Sequence, residues 1–424
     1  MNLNAQPGAL VDEPEQIQEP QKQKRSRFAP ERRKEVSIVR SQGACIRCRM
    51  LRKPCSGDDP CTTCQSIEGP RLWKESCTRV RLVDQFTLFK LGVHSKLAKA
   101  ELDHVKEHVQ LHVVSTTIET SHFDQPIAMM SLKVLQGCRD PSVPDGVAPR
   151  RILAIDSEFD DVPKKIDSYI KEMASMFIDH ETSAFVKTSL NLAVELHKAQ
   201  PDELLWNSIQ LWTAAQILAN PENKWKILAA SHSLTQLVDI SIDKATDPQT
   251  YTLLCNQLYA ATEKRAEQLG KSTMTEIERR FIRKPNLDST KFETFLTCTI
   301  LLNCIERICW LFRMWANGLN KEDWPLGDVR PEDLAGQGDD FTDTLHMFMR
   351  VRSLQFKAVP SPEDGVLTPV DDGDKWFSKW LGSLKITIET LQKCQAGQFD
   401  LNDFRSLDGK YSSRVLTMQL VSRE

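Results

Sequence analysis

With 424 residues, 40% of them hydrophobic and 27% charged, the chain has an ordinary soluble composition and enough length for two or three domains with a sizeable core. Its net charge of −3 hides an uneven distribution: from Lys22 to Lys53 twelve Lys or Arg stand against Glu31 and Glu35, a balance of +10, while the chain after Arg81 carries about −9. No stretch reaches 18 uncharged apolar residues, and the start "MNLNAQPGALVDEPEQ" lacks a basic segment leading into an apolar run, so neither a membrane span nor a secretory signal is expected.

Residues 1–40 are poor in aromatics and rich in Gln, Pro, Lys and Arg, a composition that predicts a disordered basic arm. Within it "KQKRSRFAPERRK" holds two basic clusters, Lys22, Lys24, Arg25 and Arg27, then Arg32, Arg33 and Lys34. That spacing reads as a nuclear import signal, and the same charges can bind phosphates. A basic arm before an acidic body points to a polyanionic partner for one part of the chain only.

Residues 41–85 hold half of the twelve cysteines. "ACIRCRMLRKPCSGDDPCTTC" spans residues 44–64, and Cys77 follows, giving C-x2-C-x6-C-x5-C-x2-C-x12-C over Cys45, Cys48, Cys55, Cys61, Cys64 and Cys77 with no intervening histidine. In the reducing compartment implied by the missing secretory signal, metal binding is favoured over disulfides. Zinc takes four ligands in a tetrahedron, and thiolates suit it. Six thiolates are too many for one ion and too few for two independent sites, but they suffice for two ions if two sulfurs are shared. Such a centre would replace a hydrophobic core in a unit too small to own one.

In this spacing, with Pro60 before the fourth cysteine, the segment resembles the fungal Zn2Cys6 binuclear cluster of sequence-specific transcription factors. The resemblance covers about 40 residues of the chain. It implies two zinc ions bridged by Cys45 and Cys61, with Cys48 and Cys55 completing one site and Cys64 and Cys77 the other. It also implies nuclear RNA polymerase II regulation, double-stranded DNA with G/C-containing half-sites as partner, homodimers in some cases, and contact with the transcription machinery. Two features depart from the family. The last gap, "QSIEGPRLWKES", is twelve residues long, a small entropic cost because loop closure grows only logarithmically. Leu51 and Arg52 occupy the two places that are usually both basic and reach base edges. Leu51 cannot donate to guanine. Arg52 can make the bidentate contact to O6 and N7, and Arg47, Arg49 and Lys53 are expected on phosphates.

Residues 86–160 read as a linker, with "DPSVPDGVAP" and "AIDSEFDDVP" as loops. Before them Leu91, Ala98, Leu102, Val105 and Val109 form a short apolar stripe. It suits either a dimerising helix or one packed on the body. His104, His108 and His112 would share a helical face near His94, as a polar stripe or a surface metal site.

From residue 161 to 424 the pattern turns helical, and an all-α regulatory domain is expected. Ile166, Tyr169, Ile170, Met173 and Phe177 lie on one 3.6-period face. "DELLWNSIQLWTAAQILAN" stops at Asn-Pro, and "KFETFLTCTILLNCIERICWLFRMWANGL" is apolar nearly all round, as a central buried helix should be. "DDFTDTLHMFMRVRSLQF" and "DKWFSKWLGSLKITIETLQKC" add more helix, whereas "LGDVRPEDLAGQGDD" and "VPSPEDGVLTPVDDGD" read as exposed loops. Cys298, Cys304 and Cys309, and the eight tryptophans from Trp206 to Trp380, suit core packing before redox sensing or an effector pocket. No nucleophile elbow, phosphate-binding glycine loop or H-E-x-x-H motif is present, so no enzyme is expected. The competing reading for the cysteine unit is a zinc-stapled protein-interaction module of ubiquitin-ligase or adaptor type. Such modules usually include histidine and do not share ligands between ions.

Overall fold

The computed structural model describes residues 29–65, 77–79, 81–84, 87, 89–124, 129–137, 151–232, 237–283, 290–318, 323–354, 356–370 and 373–417, with backbone alone for 230–232, 237–239 and 417. The described residues open with α1 (Pro30–Gln42), α2 (Ile46–Leu51), α3 (Thr62–Gln65) and α4 (Val93–His108). Strands β1 (Leu111–Ser121), β2 (Met130–Gly137) and β3 (Ile152–Ile155) come next, then α5 (Val162–Asp179), α6 (Ala184–Ala199) and α7 (Glu203–Ala219). After β4 (Lys226–His232) and β5 (Leu237–Ile242) come α8 (Pro248–Ile282), α9 (Lys291–Asn317) and α10 (Pro331–Val351). A hairpin of β6 (Ala358–Pro360) and β7 (Leu367–Pro369) precedes α11 (Lys375–Leu384), α12 (Ile388–Gln395) and α13 (Ser412–Thr417).

The core is built on α7, α8 and α9. Helix α9 is long and apolar enough to cross a membrane, yet 94% of its most apolar window is buried inside the protein. Several of its polar residues find partners inside the protein. Asn303 Oδ1 accepts from the Trp212 indole at 3.1 Å. Glu306, fully buried, accepts from the backbone N–H groups of Gly409, Tyr411 and Ser412 at 2.9, 2.6 and 2.8 Å and so pins the C-terminal segment to α9. Next to it Arg307 forms ion pairs with Glu181 (2.8 Å) and Asp408 (2.7 Å).

The all-α expectation for the body is corrected by a five-stranded antiparallel sheet of order β3-β2-β1-β4-β5. Three of its strands lie inside the expected linker, and two interrupt the expected helical run. Strand β2 shows why the sheet forms: Met130, Leu132 and Val134 alternate inward, and Leu132 sits opposite Ile118 of β1, itself opposite Ala229 of β4. All four residues of β3 are buried. Ile152 and Ala154 pack with Val105, Val109 and Leu253, while Leu153 and Ile155 join the main core. Gln257 of α8 covers the β3 edge, its Oε1 accepting from Ile155 N at 2.8 Å, which removes one exposed edge from the sheet.

Helix α4 lies along α8. Ala98, Val105 and Val109 of its stripe are buried, with Leu91 and Leu102 packed beside them. Glu263 of α8 caps its first turn, accepting from Val93 N (2.8 Å) and Ser95 N (3.2 Å). Other local expectations also shift. Residues 30–40, expected without structure, belong to α1, with Pro30 in its first turn. Residues 331–340, expected as loop, open α10 behind another first-turn proline. The segment "DPSVPDGVAP" lies outside the described residues.

Candidate metal centre

Gly43, at φ +82°, turns the chain from α1 into Cys45, which caps α2 by accepting from Cys48 N at 3.4 Å. The one-turn separation of Cys45 and Cys48 places both sulfurs at the start of this short helix, and Cys61 and Cys64 repeat the arrangement at α3. Cys45, Cys48, Cys55, Cys61 and Cys64 are buried together, with Cys77 partly exposed and Val39 of α1 packed against them.

The sulfurs fall into two quartets. Those of Cys45, Cys48, Cys55 and Cys61 lie within 4.8 Å of one another, and so do those of Cys45, Cys61, Cys64 and Cys77. Cys45 and Cys61 belong to both. The sulfur separations Cys45–Cys61, Cys45–Cys64 and Cys48–Cys61 are 3.9, 3.7 and 3.6 Å. These are too long for disulfides. A metal held tetrahedrally by thiolates at about 2.3 Å separates its sulfurs by about 3.8 Å, so the spacing fits such an ion in each quartet. Burial pushes the thiols of Cys45 and Cys48 up, Cys48 to about 12. Cys61 is also raised by burial, but hydrogen bonds from Cys64 and Cys48 outweigh this and bring it down to about 6. Sulfurs packed this closely resist ionising together and call for a cation between them.

Two arginines flank the sulfurs. Arg47 donates to Thr63 O (3.3 Å) and to Cys64 Sγ (3.7 Å), so this residue, expected on phosphate, lies against the cluster. Arg79, not singled out in the sequence, donates to Asp58 O and sits near Cys77 and Cys55, whose charges favour its protonated form against the desolvation that opposes it. The remaining basic residues separate into two groups. Arg49 is drawn to the body, pairing with Glu278 of α8 at 2.5 Å, while Leu51, Arg52 and Lys53 are exposed. Arg52 ends α2 in the left-handed region, at φ +54°. Arg32, Arg33 and Lys34 lie on α1, where Arg32 pairs with Glu35 at 2.6 Å; Lys22, Lys24, Arg25 and Arg27 lie outside the described residues.

Helix α2 is mounted on the body. Ile46 and Met50 are buried in the main core, Glu278 Oε2 accepts from Leu82 N at 2.9 Å, and Arg352 donates to Met50 O at 2.6 Å. No sequence signal joins these partners, because Arg49 and Glu278 are 229 positions apart.

The other candidates resolve as follows. His104, Glu107 and His108 form an exposed group, but His112 lies on β1 and leaves the helical stripe. His94 is half-buried, and desolvation of its ring lowers its pKa to about 4, with the ring 5.2 Å from that of Tyr259. Cys298, Cys304 and Cys309 are fully buried, and burial pushes their thiols up, Cys309 to about 12. These are poor redox sensors by the thiolate criterion. Trp212, Trp225 and Trp380 are core residues.

The family model of the KpeA transcription factor matches residues 148–415. The chain belongs to the KpeA transcription factor family. The matched residues begin beyond the cysteine cluster and take in most of the sheet-and-helix body. Among curated proteins, the chain is similar to transcription factor kpeA of Aspergillus oryzae, 43% identical over 51 residues, which are 12% of this chain and 7% of that protein. The chain therefore spans a small fraction of that relative's length in the match. No solved structure matches.

Proposed function

We propose that the chain is a zinc-dependent, sequence-specific DNA-binding regulator of transcription that acts in the nucleus, with residues 41–85 as its binuclear cluster. The observation that carries this reading is the pair of sulfur quartets sharing Cys45 and Cys61, in a family of transcription factors. Cys45, Cys48, Cys55 and Cys61 would hold one zinc ion, and Cys45, Cys61, Cys64 and Cys77 the other. When bound, the ions cross-link the two short helices and supply the positive charge that buried thiolates require. Six thiolates around two divalent ions leave two negative charges, which Arg47 and Arg79 are placed to offset.

The reading end is the exposed C-terminus of α2, where Arg52 offers a planar donor pair to guanine and Lys53 a charge to the backbone. Arg52→Ala is expected to weaken binding to a selected duplex by about 1–3 kcal/mol, roughly five- to 150-fold, and to relax specificity at one base pair. A fluorescence-anisotropy titration with matched and single-substituted duplexes reads this directly. Unchanged affinity and unchanged base preference would remove Arg52 from the reading role.

A further inference from the structure

Three helix C-termini meet beside the cluster, and each is followed by an arginine: Arg52 after α2, Arg283 after α8 and Arg352 after α10. Arg352 ties them together. Its Nη2 donates to Met50 O (2.6 Å) and to Ile282 O (3.2 Å), and its Nε donates to Phe281 O. One guanidinium nitrogen thus reaches carbonyls in the last turns of both α2 and α8, and Arg52 and Arg283 leave from neighbouring helix ends. Arg52 lies close enough to Arg352 to oppose its protonation, after the larger effect of burial.

The carboxylates on this stretch of α8 are already engaged, Glu276 by Arg279 and Arg280 and Glu278 by Arg49. Arg52, Lys53 and Arg283 are exposed, and among the described residues none of them has an ion-pair partner. Arg283 is a cation left without a carboxylate partner in a body that carries about −9 after Arg81, and it borders the end of the helix assigned to reading DNA. A cation at a helix C-terminus does interact favourably with the helix dipole, but that accounts for the position and not for the shared location of the three.

Resting on the DNA-binding reading above, we propose that the end of α8 belongs to the DNA-contact surface. Arg283 is a phosphate anchor lent by the body to the cluster, and α2 stays mounted on α8 through Arg49–Glu278 and Arg352 while DNA is bound. The bound duplex is contacted by two segments more than 200 residues apart in sequence, the cluster supplying base readout and the body supplying charge.

The test uses the full zinc-loaded chain, with Arg283→Ala and Arg283→Lys titrated against a selected duplex and a scrambled one over a salt series. Arg283→Ala is expected to bind both duplexes several-fold more weakly, with the slope of log K against log salt shallower by about 0.9, the signature of one lost phosphate contact. Arg283→Lys should restore the slope, and the thermal midpoint should be unchanged in both. An unaltered slope for Arg283→Ala, or a loss of binding that follows a lowered thermal midpoint, overturns the anchor while leaving the cluster's role intact. Absence of zinc-dependent binding by the wild-type chain would overturn both readings.

Discussion

Cys45→Ser is expected to strip both metal ions from the cluster, whereas Cys77→Ser strips one. The difference follows from membership: Cys45 belongs to both sulfur quartets and Cys77 to one. Serine keeps the volume but removes the thiolate, so Cys45→Ser leaves each ion three sulfurs, while Cys77→Ser leaves the Cys45, Cys48, Cys55 and Cys61 set complete. Structural zinc contributes about 10–16 kcal/mol of binding free energy in small metal-folded units, so a lost ion should unfold the part of the cluster it holds. Native mass spectrometry gives the count as two ions for the wild type, one for Cys77→Ser and none for Cys45→Ser or Cys61→Ser. One ion retained by Cys45→Ser or Cys61→Ser would mean that these sulfurs are not shared between the ions, and a wild-type count of one would favour the interaction-module alternative.

Arg307→Met should be the most damaging single change in the body. The Arg307 side chain has no solvent exposure, and it lies between Glu181 and Asp408, whose side chains are 2% and 11% exposed. Burial alone would push the Glu181 carboxyl up, but Arg307 holds it below the usual carboxylate range. The guanidinium also packs against Trp212 and Phe404, with centroids at 5.7 and 5.4 Å. Methionine keeps much of the packing and abandons two buried carboxylates, a loss of about 3–5 kcal/mol for breaking such a pair from one side. Urea unfolding monitored by tryptophan fluorescence measures it. Arg307→Lys should fall between the two, since one ammonium cannot reproduce the fork that reaches both carboxylates. A loss below about 1 kcal/mol for Arg307→Met would mean that Arg405, 3.5 Å from Glu181, already supplies the missing charge and that Arg307 is not the main partner of the buried carboxylates.

The cysteine unit was the most readable part of the sequence, because local spacing dictates which sulfurs can meet. The six sulfurs that the pattern singles out are the ones the structure draws together. Long amphipathic helices were readable for the same reason: the face of Ile166, Tyr169, Ile170, Met173 and Phe177 is buried throughout. The sheet was not. Strand β1, "LHVVSTTIETS", carries a bulge between Val113 and Thr117 that breaks its alternation. Strand β3 is buried on both faces and four residues long, so nothing in it alternates. Helix α10 escaped over residues 331–340 because its glycines and acids look like loop, although Gly338 is where the helix passes close to Cys309 and Tyr411. The mounting of α2 on the body was illegible for a further reason. Arg49–Glu278 and Arg352–Met50 join segments hundreds of residues apart, and a lone sequence contains no trace of such pairings.

The central claim is that six thiolates and two zinc ions hold a basic helix end toward DNA. Random-oligonucleotide selection with the full chain, run once with zinc and once after chelation, tests it most directly. Enrichment of a short G/C-containing site with zinc, abolished by the chelator, is the expected result. Retention without an enriched site, or enrichment that survives chelation, would contradict it.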